Sequence, residues 1–437
     1  MGDLEFLHQL KTPIGLVGYG LSNQEVELYL AEHNLNSCVF TDASGDGEHF
    51  CTHSQAEMLV VSPGYPLSRE WIRKARGSGV RMSSELSLAS EVVRKHNNQE
   101  LWIGVTGSVG KSTLVSLLTD ALEAEGLSVF LGGNIGNPLM KYARQLEAGE
   151  SPVDVIVLEL SSYQLENCGD LELNHSILCY LSPNHLERYE SVEDYFSQKV
   201  ELFKRTKHFR LANADSPQLS DFFQKSTIEE EFEFYKVEEP RPFDLEVLNK
   251  KAMVGAFNNQ HLVAAAKMLE HLKLWNETTK QALLGFKGLP HRLERMDSVP
   301  GRPVCINDSK GTSLESVRSA VESVLPEFER QASEKGSLYL LLGGQDKGLP
   351  WGQLSDLAEL PWLQFLFFGE MGPSVQAKSG LAGPVYPTLM ELCNQLPQHV
   401  DENDWLLFCP GGTSWDEFKN FEERGHFFKK RVEEIWK

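Results

Sequence analysis

The chain of 437 residues is poor in cysteine, in cationic charge and in long apolar runs. Its seven Cys, an odd number without a Cys-x-x-Cys pair, argue against a disulfide framework and against a zinc ribbon. No apolar run approaches the ~18 residues of a membrane span. The longest candidates, Trp405 to Cys409 and Phe365 to Phe368, are strand-sized. Met1 to Lys11 carries Asp3 and Glu5 and no apolar signal core, so a cytoplasmic protein without membrane insertion is expected. Lys and Arg number 41 against 62 Asp and Glu, a net charge of −21, which disfavours nucleic acid as a partner because phosphate contact needs a basic face. An anionic ligand must therefore be held by local sites of Lys, Arg and backbone N–H groups. Most of the acidity serves solubility, and the six Glu between Glu229 and Glu239 read as a solvated edge or loop. With 41% hydrophobic and 24% charged residues the chain is neither disordered nor fibrous, and at ~150 residues per domain it is long enough for about three domains.

Three blocks are visible, with no internal repeat. The first opens on an apolar strand from Pro13 that runs into Gly18-Tyr19-Gly20-Leu21-Ser22, followed by strand-like Ser37 to Phe40 and Met58 to Val61. Strands ending in turn residues suggest a small parallel α/β unit. Gly18-x-Gly20 is half a dinucleotide fingerprint and reads equally as a ligand contact or a tight turn. After the polar stretch Arg94 to Glu100, the second block has strands at Leu101 to Val105, Asp154 to Leu158 and Ser176 to Leu181. These continuous apolar runs suit a parallel sheet buried on both faces. Helices are expected over Lys111 to Glu125 and from about Gln260 to Leu272, and Gly288 to Arg292 reads as a hinge. The third block alternates strands (Pro303 to Ile306, Ser337 to Leu342, Leu363 to Phe368, Trp405 to Phe408) with helical stretches such as Leu314 to Val324. Its class is again α/β.

The strongest local signal is Thr106-Gly107-Ser108-Val109-Gly110-Lys111-Ser112-Thr113 between a strand and a helix. A glycine-rich turn there lets backbone N–H groups wrap a phosphate chain. Lys111 supplies a point charge, and Ser112 or Thr113 a hydroxyl for magnesium. The usual first glycine is absent, since Val105 stands there. Glu159 lies where the strand Asp154 to Leu158 runs out, at the carboxyl edge where ligands of such sheets bind. It is placed either to ligate magnesium or to cap the next turn. His185 follows the next strand, so three strand ends carry a cation or a cation ligand each.

These motifs resemble the Mur ligase family. So do Leu158 to Gln164, Asn184 to Tyr189, Gly255 to Asn258, Gly288 to Arg292, Asn307 to Lys310, Leu342 to Lys347 and Ser414 to Phe421, in order along nearly the whole chain. The resemblance implies three domains: Rossmann-like for a UDP-sugar (1–92), a central P-loop-type, mostly parallel sheet for ATP (93–292), and Rossmann-like for an amino acid (293–437). It implies a monomer that phosphorylates the carboxylate of UDP-N-acetylmuramoyl-L-alanine with ATP and lets the amine of D-glutamate attack the acyl phosphate. Gly107, Ser108, Val109, Gly110, Lys111, Ser112 and Thr113 would hold phosphate, and Asn258, His261, Arg292, Asp308 and Lys310 the rest of the nucleotide. Ser112 and Glu159 would bind a first Mg2+, and His185 with a carbamylated Lys199 a second. Lys111, Glu159, His185 and Lys199 would thus be catalytic. Ser22, Thr41, Asn134 and Ser161 would contact the UDP-sugar substrate, and Thr312, Lys347, Ser414, Trp415 and Phe421 the incoming amino acid.

Several positions depart from the family pattern: Val109 for Asn, Asn184 for Asp, Phe257 for His, His261 for a second Asn, Gly311 for Ala and Trp415 for Leu. His261 leaves the mode of adenine recognition open. Read by itself, Lys199 is a solvated helix charge, and Phe421 reads equally as helix core or as a substrate contact. Two rival functions fit parts of the chain, a folylpolyglutamate synthase-like ligase and a nucleotide-binding regulator without activity. The complete block ahead of the phosphate loop argues against the first. The retained Lys111, Glu159, His185, Lys199 and Lys347 argue against the second.

Overall fold

The computed structural model describes residues 2–10, 12–41, 56–182, 188–225, 230–236, 253, 258–331, 336–345 and 348–437. His185, Asn184, Phe257 and Lys347 therefore lie outside the described residues. The chain divides into two compact units, one of residues 1–244 and 260–283, the other of residues 245–259 and 284–437.

The first unit holds two parallel sheets. In the four-stranded one the order is β2 (Ser37–Phe40), β1 (Ile14–Val17), β3 (Met58–Val61), β4 (Arg81–Ser83). Both β1 and β3 are buried along their length, which is why they are written as unbroken apolar runs. The glycine turn after β1 is fixed from below: buried Asn23 donates its side-chain amide to the carbonyls of Val17, Gly18 and Val60. The six-stranded sheet runs β10 (Glu233–Tyr235), β9 (Thr206–Asn213), β8 (Leu173–Leu178), β5 (Leu101–Thr106), β7 (Val155–Glu159), β6 (Val129–Gly133). One apolar core joins the two sheets through the Glu85–His96 and Leu139–Glu147 helices, and Leu88, Val92, Tyr142 and Leu146 belong to it together with Trp102 and Ile156.

The second unit has β11 (Glu294–Arg295), β12 (Val304–Asn307), β16 (Trp405–Gly411), β13 (Leu338–Gly343), β14 (Leu363–Phe368) and β15 (Val385–Tyr386) in that order, all parallel but β11. Its faces are covered by two separate cores, one around Trp351 and Val317, the other around Phe428 and Leu392. Among the described residues no helix is long and apolar enough to cross a membrane.

Two expected boundaries moved for physical reasons. The apolar run Ser176 to Leu181 does not stay in the sheet: β8 ends at Leu178, and Tyr180 O instead accepts from Ser108 N of the phosphate loop at 3.0 Å. The helix expected over Leu314 to Val324 continues to Gln331 through Pro326.

One cluster sets an acid limit on the first unit. His175 of β8 lies with its ring 5.0 Å from His271 and 6.0 Å from His208. Burial first, then these two neighbours, lowers its pKa from 6.5 to about 4. Because the folded value is depressed, the unfolded chain takes up this proton first, and stability falls as pH drops from 6.5 towards 4. Urea midpoints of His175→Phe should therefore fall less across that window than those of the unaltered chain.

Candidate functional site: a phosphate loop beside a carboxylate and a buried lysine

Sheet order builds the central site. Strands β8, β5 and β7 are adjacent, so their carboxyl ends lie side by side although β6 intervenes in the chain. From β5 the chain enters Gly107 and Gly110, both at positive φ (153° and 88°). A Cβ at Gly107 would press on Cys179, and one at Gly110 would overlap the ring of His261. Only glycine fits this turn, which leads directly into the Lys111–Ala124 helix. Gly110→Ala should cost about 1–3 kcal/mol from the left-handed backbone and the overlap together, read as a lowered melting temperature with loss of turnover. Lys111 Nζ folds back over the loop, donating to Gly107 O at 2.9 Å and Ser108 O at 3.2 Å. Ser108 is held by Ser182 O at 2.8 Å and by the Tyr195 hydroxyl at 3.0 Å.

Glu159, at the end of β7, does not merely cap a turn. Its Oε2 accepts from Ser112 Oγ at 2.6 Å and its Oε1 from Asn134 Nδ2 at 2.7 Å, and the side chain is buried. The capping task goes to Ser161, which forms a reciprocal capping box with Gln164. Asn134 is drawn to this carboxylate by the turn after β6, where Asn134 N donates to Glu159 O at 2.8 Å.

Lys199 is no solvated charge. Its side chain is 2% exposed, its Nζ lies 3.5 Å from Thr106 Oγ1 and 5.0 Å from the Tyr195 ring. Burial first, then the nearby Lys111 charge, holds its pKa well below the usual lysine value. A neutral amine at the strand ends is thus favoured. Ser112, Glu159 and Asn134 offer oxygen donors of the hard type that magnesium takes, so these residues fit that cation. Among the described residues no three His, Cys, Asp or Glu side chains form a metal cluster.

Ser22 and Asn134 line one pocket of this unit with Leu21, Gly136, Pro138 and Gln164. Thr41 lies beyond it, at the last described residue after β2. His261 is buried in the Asn258–His271 helix and its pKa falls to about 4, so it is neutral and packs on the phosphate loop at Gly110. Asn258 begins the same helix.

The second unit carries its own set at the ends of β12 and β16. Asp308 is buried, accepts from Leu293 N at 3.1 Å and from Cys409 Sγ at 3.2 Å, and burial raises its carboxyl to about 6. Gly311 is explained by the same neighbours, since a Cβ there would overlap Cys409 Sγ. Lys310 Nζ sits 4.2 Å over the Phe421 ring, and Lys310 N donates to His291 O at 3.1 Å. Phe421 is thus the first residue of its helix and a partner of Lys310, not core. The segment containing Arg292 is tightly tied: His291 is buried at φ 62° and its Nδ1 lies 2.8 Å from Asn307 Nδ2. Thr312 is half-buried, Ser414 buried, and Trp415 66% exposed. A residue missed from sequence is Arg424. It is fully buried and donates to Ser309 O (2.8 Å), Ser309 Oγ (3.1 Å) and Gly412 O (3.0 Å), joining the loops after β12 and β16. Its one sequence signal is an arginine on the inward face of an amphipathic helix.

Residues 105–259 match the Mur ligase middle domain. UDP-N-acetylmuramoylalanine–D-glutamate ligase of Oleidesulfovibrio alaskensis is 31% identical over 387 residues, covering 87% of this chain and 80% of that protein. The ligase of the same name from Prochlorococcus marinus is 30% identical over 406 residues, covering 87% and 82%. The chain belongs to the Mur ligase family. Solved Mur ligases share its fold over the full length: MurF ligase of Thermotoga maritima in complex with ADP has a TM-score of 0.62 at 14% identity, covering 100% of both chains. UDP-N-acetylmuramate-alanine ligase MurC of Thermotoga maritima gives 0.56 at 15% identity, covering 97% of this chain and 100% of that one. As a Mur ligase it is an ATP-dependent enzyme that forms an amide bond, and the inactive-regulator and folate readings are not favoured.

Proposed function

We propose that this Mur ligase adds D-glutamate to UDP-N-acetylmuramoyl-L-alanine in the cytoplasm, with ADP and phosphate as the other products. The observation that carries the reading is the convergence of Lys111, Ser112, Glu159, Asn134 and Lys199 at the ends of two adjacent strands, in a chain about 30% identical to ligases of that name. Residues 1–92 would take the UDP-sugar, 93–292 ATP and 293–437 the amino acid.

The alanyl carboxylate attacks the γ-phosphorus of ATP, the bond to the β-phosphate oxygen breaks, and ADP leaves. The amine of D-glutamate then attacks the acyl carbon, loses a proton and expels phosphate. In the first step the loop N–H groups and Lys111 hold the β- and γ-phosphates in line and neutralise charge that builds on them. Asn134 orients the alanyl arm beside Glu159. In the second step Thr312, Lys347, Ser414, Trp415 and Phe421 would hold the amino acid, and Arg292, Asp308, Lys310, Asn258 and His261 would serve the nucleotide. Ser112 and Glu159 would hold one Mg2+, and His185 with the carbamate of Lys199 a second. Bound there, the ions would supply positive charge to offset the repulsion of two anionic reactants, the carboxylate and the γ-phosphate.

ADP release in a coupled assay should require UDP-N-acetylmuramoyl-L-alanine and D-glutamate together. Equal turnover with L-glutamate, or with the UDP-sugar lacking alanine, would overturn the assignment.

A further inference from the structure

Three helices begin at one place in the first unit. Leu21–Glu32 starts with Leu21 and Ser22 in the pocket that also contains Asn134, and Leu139–Glu147 follows Pro138 in the same pocket. Glu85–His96 starts in an adjoining pocket that shares Pro63 and Gln164. Their far ends also meet: Nε2 of His33 and of His96 lie 3.2 and 3.4 Å from the two oxygens of Glu147. The helices therefore run the same way, with their first-turn N–H groups towards the pockets.

Leu139–Glu147 lacks a cap of its own, because Pro138 precedes it and offers no side-chain acceptor. The acceptor comes from 55 residues earlier in the chain. Glu85 Oε1 takes Met140 N–H at 2.6 Å, and the carboxylate is 3% exposed. The charged groups that face it are Glu25 of the Leu21–Glu32 helix, paired with Arg144, and Arg188 in the adjoining pocket, paired with Glu166. The turn that Glu85 steadies holds Asn134 at one end, tied to Glu159 O, and Pro138 at the other.

We propose that Glu85 is a positioning residue for the UDP-sugar substrate: by capping Leu139–Glu147 from the N-terminal block, it fixes the Asn134–Pro138 turn opposite Ser22. This rests on the reading that the Ser22–Asn134 pocket takes UDP-N-acetylmuramoyl-L-alanine. Burial lifts the Glu85 carboxyl to about 7, so its charge changes near neutrality. An anionic substrate drawn to these helix starts disfavours the carboxylate further, and binding takes up a proton at Glu85.

Loss of a helix cap is worth about 1 kcal/mol, close to a fivefold change in affinity. Glu85→Ala should raise KM for UDP-N-acetylmuramoyl-L-alanine about fivefold, leaving kcat and KM for ATP and D-glutamate within about twofold. Glu85→Gln keeps an acceptor oxygen and should hold KM near the unaltered value. Titration calorimetry of UDP-N-acetylmuramoyl-L-alanine binding at pH 7.5, in two buffers of different ionisation enthalpy, adds a readout that a purely structural role would not move. The unaltered protein should show net proton uptake, and Glu85→Gln should lose it. An unchanged KM in Glu85→Ala, a uniform loss across all substrates, or equal proton uptake in Glu85→Gln overturns the proposal. If Glu85→Ala does not fold, the Glu85→Gln calorimetry decides. Absence of turnover by the unaltered protein with this substrate would sink the substrate reading instead.

Discussion

Lys199→Ala is expected to be nearly inactive, and a small carboxylate such as acetate should restore part of its turnover. The reason lies in where the amine sits. Lys199 Nζ is buried under the phosphate loop, with Thr106 Oγ1 at 3.5 Å and the Tyr195 ring beside it. Desolvation first, then the Lys111 charge, pulls its pKa well below the usual lysine value, which favours the neutral amine. A neutral amine can add its lone pair to the carbon of CO2, lose its N–H proton to water and become a carbamate. That exchanges a group unable to ligate magnesium for an anionic oxygen of the kind the ion prefers. Acetate can fill the space left by alanine and offer the same type of oxygen. Lys199→Arg should stay inactive, because a guanidinium keeps its proton and forms no carbamate. Carbon-13 NMR of protein equilibrated with labelled bicarbonate reads the modification directly. Wild-type turnover in Lys199→Arg, or no labelled carbamate in active protein, would remove the second-metal assignment.

How much of this was legible in the sequence follows from what each residue does. Strands β5, β7 and β13 bury both faces, so they are written as continuous apolar runs and can be read. The strand β9, with Lys207 and His208 exposed and Arg210 half-buried, has no such run and was missed. The two-residue β15 is too short to carry any pattern. The phosphate loop was legible because backbone geometry demands glycine at fixed spacing. Lys199 was not legible from its own neighbourhood: in the Val192–Lys204 helix it looks like any charge on an amphipathic helix. Its burial comes from β5 and the loop, nearly a hundred residues earlier, so only the motif register singled it out. Arg424 and Glu85 share that difficulty. Each acts on a loop or helix end distant in the chain, and a buried charge whose partners are backbone groups leaves no local spacing to read.

Lys111→Ala should cut turnover by orders of magnitude while leaving the fold intact. The ammonium donates to two loop carbonyls, Gly107 O and Ser108 O, and the residue is half-buried. Removing it leaves those carbonyls to water, so the stability change should be within about 1 kcal/mol. The effect on the reaction is larger because the charge matters most when phosphoryl transfer is under way. Negative charge is then spread over the γ-phosphoryl oxygens, and a cation placed against them in a site that excludes water stabilises the transition state by several kcal/mol. Lys111→Arg tests placement as distinct from charge. Lys111 Nζ reaches Gly107 O and Ser108 O as a compact point charge, a placement that a planar, forked guanidinium does not reproduce. Lys111→Arg should therefore recover only a small part of the loss. The check is a pair of measurements on each variant: ADP release at saturating substrates, and thermal melting. A folded Lys111→Ala protein with near-normal turnover would remove the phosphate-loop reading. A protein that loses melting temperature in step with activity would mean that Lys111 holds the loop together rather than the nucleotide.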